Sequence, residues 1–261
     1  MEMTFTSCLI SLHKMSLFYN LLFLWIFIGF CTFLYLIFSK TVAPYGRHSS
    51  VKWGITIDNR WGWFWMELPA LIIMPAIILF SPIEKNSIIL LMLFLWIYHY
   101  FYRTILFPIK LKTKGKKIPL VIVISAFIFN LFNGFFVGYE FAYFSDLPVF
   151  GVNTVIGLVI FITGMYINRH SDNMLISLRQ AEKQYQIPRG GIFRYISCPN
   201  HFGEIVEWIG FAIIGFSLGS LSFALWTSFN LIPRAMNHHN WYKNNFKDYP
   251  KDRRAVIPFI F

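Results

Sequence analysis

Five stretches of this chain are apolar for the length of a membrane crossing, at about 17–39, 62–82, 87–107, 118–138 and 152–168. A helix needs roughly 20 such residues to span a bilayer, and in hydrocarbon its backbone groups must bond to one another. The fold is therefore predicted to be a bundle of membrane helices. A sixth run, Ile205 to Pro233, is long for one crossing and short for two. Charge decides its reading. Of 23 Lys and Arg residues, 20 fall in four segments: Lys40 to Arg60, Lys110 to Lys117, Arg169 to Arg194, and the tail from Arg234 to Arg254. Basic segments stay on the cytoplasmic side. The tail joins the other three there only if the sixth run crosses twice, hinging near Ser217 to Ser220. The expected architecture is an all-α integral membrane protein of about seven transmembrane helices, with the N-terminus outside and the C-terminus cytoplasmic.

Composition agrees, with 56% hydrophobic and 13% charged residues, which excludes an ordinary soluble domain. The net charge of +11 does not point to nucleic acid, because the cations sit between apolar runs rather than along one surface. Cys8, Cys31 and Cys198 form no C-x-x-C pair and are expected as free thiols. The first run is longer than a signal-peptide core and lacks a small-residue cleavage site, so it is expected to remain as a span. No repeat or low-complexity tract divides the chain, and residues 1–261 read as a single membrane domain. Pro69, Pro75 and Pro82 are expected to kink or end the second span, leaving carbonyls for neighbouring helices to satisfy. Gly134 and Gly138 permit close helix approach. Gly190 and Gly191, after Pro188, mark a turn in the longest cytoplasmic connection, roughly 169–204.

Polar residues at the edges of the apolar runs carry the chemistry. At helical spacing Asn200, Glu204 and Glu207 share a face, as do Asn168, Asp172 and Arg179, and as do Arg234, His238 and Tyr242. Each face is a candidate polar ligand site or, in the plainer alternative, part of a solvated loop network. Glu67 lies among Trp63, Phe64, Trp65 and Met66, where a lone carboxylate is costly and the neutral acid is expected. Tyr100 and Arg103 lie near the same depth on the third span. Glu67 either pairs structurally with Arg103 or a buried Asn, or serves a ligand. A neutral acid and a phenol aimed at one carbonyl oxygen stabilise a developing enolate, the logic of ketosteroid isomerase. With a hydride donor nearby, the pair would reduce a conjugated enone. The chain has no G-x-G-x-x-G or Walker A pattern, so a nucleotide would need an unusual site built from the cytoplasmic polar faces. His238 and His239 suit lipid headgroups and lack a third ligand for a metal.

At these residues the sequence resembles the steroid 5α-reductase family. The resemblance is carried by Asn168-Arg-His-Ser-Asp172 with Arg179, Tyr185-Gln-Ile-Pro-Arg-Gly-Gly191, Asn200-His-Phe-Gly-Glu204-Ile-Val-Glu207-Trp208, and the closing block from Asp248. Upstream it takes in Tyr45-Gly-Arg-His48, Glu67-Leu-Pro69, His99-Tyr100-Phe-Tyr-Arg103-Thr104, Asn133-Gly134 and Gly138-Tyr139. Members of the family are seven-helix membrane enzymes that use NADPH to reduce the C4–C5 double bond of 3-oxo-Δ4 steroids. Carried over, the resemblance implies that Glu67 and Tyr100 hold the 3-oxo group, with Trp63, Met66 and Arg103 around the substrate. It implies that Lys116, Asn168, Asp172, Arg179, Asn200, Glu204, Arg234, His238 and Tyr242 line the NADPH site. Helices 1–4 (17–138) would then form much of the substrate pocket, and 152–261 the cofactor site. Met66 stands where close relatives often have Gln, Ser125 and Gln186 replace arginines found in some members, and Lys116 takes an Arg position near the cofactor phosphates, keeping the charge but not the bidentate fork.

The implied partners are a steroid or other lipid substrate and membrane lipids. No nucleic acid is implied, and the protein is expected to be a monomer in a bacterial inner membrane or the endoplasmic reticulum. Three other readings stay open. One is a reductase of a polyprenol or a long-chain enoyl thioester, another a methyltransferase of the isoprenylcysteine type. The last is a seven-span receptor or transporter, which leaves the acid and arginine faces without a task.

Overall fold

In the computed structural model, residues 5–39, 53–82, 84–111, 115–144, 149–181 and 185–260 are described. The block Tyr45–His48 and the basic residues Lys40, Arg47, Lys52, Lys112, Lys114 and Lys183 lie outside them. The long helices are α1 (Phe5–Phe38), α2 (Asn59–Phe80), α3 (Ser87–Phe101), α5 (Leu120–Tyr143), α6 (Val152–Ala181), α7 (Pro199–Gly215) and α8 (Leu218–Asn245). Helix α3 runs on through a π turn, Tyr102–Leu106, into the short α4 (Phe107–Lys110). Within the described residues, five segments are long and apolar enough to cross a membrane: His13–Phe38, Asn59–Phe80, Ser87–Lys110, Leu120–Tyr143 and Val152–Arg179.

Local chemistry sets several boundaries. Asp58 caps α2 by accepting from Arg60 N, and Asn86 caps α3 by accepting from Ile88 N and Ile89 N. The run Ile205–Pro233 divides where the sequence suggested. Phe216 turns left-handed at φ 42°, and Ser217 opens α8 with a reciprocal cap between Ser217 and Ser220. Pro69 and Pro75 are tolerated inside α2. Each leaves the carbonyl four residues earlier, Trp65 or Leu71, without its helical donor; beside them, Asn130 Nδ2 donates to the Met66 carbonyl (2.7 Å) and Trp96 Nε1 to that of Ala70 (2.7 Å).

Two expectations need correction. The fifth apolar run does not stop at 168, because α6 continues to Ala181, so the connection begins past 181 rather than at 169. Its polar residues stay helical because they bond across to α7. A two-stranded antiparallel ribbon, β1 (Thr56–Asp58) with β2 (Lys117–Pro119), also went unforeseen at the start of α2 and α5. Strands three residues long leave almost no periodic trace.

Packing follows the small residues. A Cβ added at Gly138 would lie 3.1 Å from Met74 Cα, and at Gly134 3.2 Å from Ile73 Cβ, so α5 lies tightly along α2 as expected. The closest seam is between α6 and α7, where Gly164 faces Gly203 and Gly157 faces Gly210. An added Cβ on any of the four would come within 2.6 or 2.7 Å of the facing glycine's carbonyl oxygen. Between these seams Trp96, Trp208, Phe211 and Phe223 pack together in the core.

At the end of the bundle away from the ribbon, the buried Glu140 carboxylate of α5 accepts from Leu218 N (3.2 Å) and Gly219 N, two of the orphan donors opening α8. Glu140→Ala leaves the buried Gly219 N–H and the half-buried Leu218 N–H without this acceptor and is expected to cost about 2–3 kcal/mol. A lower melting midpoint in detergent would show it; an unchanged midpoint would mean that the carboxylate contributes nothing there.

Candidate active site

Packing gathers the start of α2, α5 and α7 with the far ends of α3, α6 and α8. Between them lies a cavity of about 860 Å³. Its lining includes Trp63, Met66 and Glu67 from α2, Tyr100 from α3, Arg103 from the π turn, and Lys116 just before β2. Asp172 and Arg179 enter from α6, Asn200 and Glu204 from α7, and Arg234, His238 and Tyr242 from α8. Thirteen residues singled out in the sequence thus meet at one cavity. The fourteenth, Asn168, sits behind it. Its buried Nδ2 donates to the Asn200 carbonyl (3.0 Å) and to Glu204 Oε2 (3.3 Å), so it holds the α7 residues in place from the glycine seam.

Glu67 is not isolated in hydrocarbon. Its Oε1 lies 3.6 Å from Arg103 Nη2, and its Oε2 accepts from Asn130 Nδ2 at 3.3 Å. Both partners of the structural alternative are therefore present, and the same acid still lines the cavity. The Tyr100 ring is fixed between Trp96 (4.9 Å), His99 (5.0 Å) and Trp208 (5.7 Å). Arg103 also reaches Asp172, Nη1 to Oδ2 at 3.4 Å, while Asn200 Nδ2 donates to Asp172 Oδ1 at 3.1 Å. Nearer the ribbon, Lys116 Nζ donates to Tyr185 Oη (3.3 Å), and the Arg179 guanidinium lies 5.7 Å from the same ring.

Glu207 departs from expectation. It shares a helical face with Asn200 and Glu204, yet it lies one turn deeper, fully buried and outside the cavity lining. There its Oε1 is 2.8 Å from His99 Nδ1. Periodicity gave its direction but not its neighbour. His99 was missed as that neighbour, although an imidazole in an apolar span calls for a partner. The other groups missed are Asn130, a buried amide in α5, and Ser197, which ties the tail to the site. Ser197 Oγ donates to the Arg254 carbonyl (2.9 Å), leaving the oxygen to accept from the Tyr249 hydroxyl and from His239 Nδ1–H, each at 2.6 Å. Burial pushes the Tyr249 phenol up, so it stays a donor. Its ring stacks on Tyr242 at 5.3 Å and braces that residue at the cavity wall.

A bundle of membrane-length helices around one cavity lined by acids, amides and cations defines an integral membrane protein. Comparison with known proteins gives the family. The family model described as 3-oxo-5-alpha-steroid 4-dehydrogenase matches residues 116–261. The chain is 42% identical over 230 residues to the steroid 5-alpha-reductase DET2 of Arabidopsis thaliana, covering 84% of this chain and 88% of the relative. It is 39% identical over 246 residues to 3-oxo-5-alpha-steroid 4-dehydrogenase 1 of Rattus norvegicus, covering 89% and 92%. The chain belongs to the 3-oxo-5-alpha-steroid 4-dehydrogenase family.

Proposed function

We propose that this protein is an NADPH-dependent reductase of the C4–C5 double bond of 3-oxo-Δ4 steroids. Tyr100 and Glu67 in its acid form donate hydrogen bonds to the 3-oxo oxygen, drawing electron density toward it and making C5 electrophilic. A bound NADPH supplies the hydride that C5 accepts. Tyr100 and Glu67 then stabilise the enolate until C4 takes a proton. Asn130 orients Glu67, and the Trp96, His99 and Trp208 rings fix Tyr100. The residues suit the cofactor. Lys116, Arg179 and Arg234 match its phosphates, and Asp172, Asn200 and Glu204 match ribose hydroxyls and amide groups. Arg103 and the Met66 and Trp63 side chains border the steroid.

What carries the reading is that the acid, the phenol and these polar faces line one cavity. Seven spans belong to the same proposal, with the N-terminus outside and the cavity's polar end toward the cytoplasm, where the cofactor is supplied. The protein acts as a monomer in the endoplasmic reticulum or a bacterial inner membrane.

The test is binding and turnover by the purified protein in detergent. NADPH is expected to bind, and a 3-oxo-Δ4 steroid to lose its enone absorbance with one NADPH oxidised per molecule. Turnover of a polyprenol or an enoyl thioester instead would reassign the substrate. Tight S-adenosylmethionine binding without NADPH binding would overturn the reductase reading in favour of a methyltransferase.

A further inference from the structure

Arg103 stands between the two halves of the cavity. It sits in the π turn, 8% exposed, with its guanidinium 4.7 Å from the Trp63 ring centroid and 4.8 Å from that of Phe107. Those rings restrict where the fork can go. One arm faces Glu67 at 3.6 Å and the other Asp172 at 3.4 Å. A closed charge-assisted bond is nearer 2.7–2.9 Å. The cation is therefore shared between an acid on α2 and an acid on α6, engaging neither fully. Each acid has a second partner of its own, Asn130 for Glu67 and Asn200 for Asp172.

From this geometry we infer that Arg103 is a positioning residue that couples the two ligands, so that a dinucleotide at Asp172 raises the affinity for a ketone at Glu67. The inference rests on the functional reading above, in which Asp172 faces the cofactor and Glu67 the steroid. A ligand that displaces water around Asp172 strengthens the Asp172–Arg103 attraction by lowering the local dielectric. Arg103 then shifts toward Asp172. Glu67 is left to Asn130 and to the ketone oxygen. By linkage the steroid raises dinucleotide affinity by the same factor.

The test uses NADP⁺, which cannot reduce the steroid, and a labelled 3-oxo-Δ4 steroid in equilibrium dialysis with the purified full-length protein. Steroid Kd is expected to fall at least about fivefold when NADP⁺ is saturating. In Arg103→Met, which keeps the bulk but not the charge, both ligands still bind and the ratio drops below about twofold. Arg103→Lys, a single ammonium that cannot span both acids, gives the same loss of coupling and serves if the Met variant does not fold. A wild-type ratio near one, or an undiminished ratio in a folded Arg103 variant, would overturn the inference while leaving the reductase reading intact. Absence of NADP⁺ and steroid binding by the wild type would overturn both.

Discussion

Glu67→Gln is expected to cut turnover of a 3-oxo-Δ4 steroid by about 10²–10³-fold, the usual cost of removing one donor to a developing oxyanion. Glutamine keeps the shape but is a far weaker acid, and it leaves one arm of Arg103 facing an amide rather than a carboxyl group. Tyr100→Phe is expected to cost as much while disturbing the fold little, because the packing of its ring against Trp96, His99 and Trp208 is retained. Two donors on one oxygen act as a unit. The double variant should therefore be little worse than the poorer single one. The measurement is single-turnover NADPH oxidation at saturating steroid, with NADPH binding as the check on folding. Near wild-type rates in both single variants would remove this mechanism.

The second large effect is structural. Gly203→Val is expected to abolish recovery of folded protein, and Gly203→Ala to lower dinucleotide affinity more than tenfold in whatever folds. An added Cβ at Gly203 would lie 2.6 Å from the Gly164 carbonyl oxygen and 2.9 Å from Asn168 Cα. These are backbone atoms, which cannot swing aside, so the helices must separate. Overpacking by one methyl costs about 1–3 kcal/mol, and two further methyls more. The same crossing holds Asn168 against Glu204 and Asn200 against Asp172, so separation opens the cavity wall as well as the seam. Monodisperse, NADPH-binding Gly203→Val protein would show that the seam is not needed.

The Gly203 prediction also marks where sequence reasoning ran short. The chain's hinge between α7 and α8 was legible because an apolar run of awkward length is followed by a basic tail, a pattern that asks the run to turn back near Ser217 to Ser220. Glu67 and Tyr100 were legible because ionisable groups in apolar runs are rare. The α6–α7 seam was not read, although its glycines recur seven apart on both helices, because small residues in membrane helices are common. Glu207 shows a different limit. Helical spacing fixes which way a side chain points on its own helix, but not how far along the bundle it meets a partner, and its partner His99 lies on another helix. Ser197 and Tyr249 were opaque for the same reason. Their meeting depends on how the tail folds back beside α8, which no local pattern encodes.

Helix α1 contributes Thr32 and Leu36 to the cavity wall, although little of its length is buried. It is tied in by ring contacts, among them Trp25 with Trp226 and Phe33 with Phe229, and by a hydrogen bond that Trp25 Nε1 donates to Asn133 Oδ1 (3.1 Å). The acyl chains of the surrounding bilayer therefore act as an outer buttress for one side of the chamber. Exchanging them for detergent changes the lateral pressure on that side, so a nanodisc and a micelle would present the same chain with differently supported chambers. Rates from the two preparations are best compared as variant-to-wild-type ratios within each.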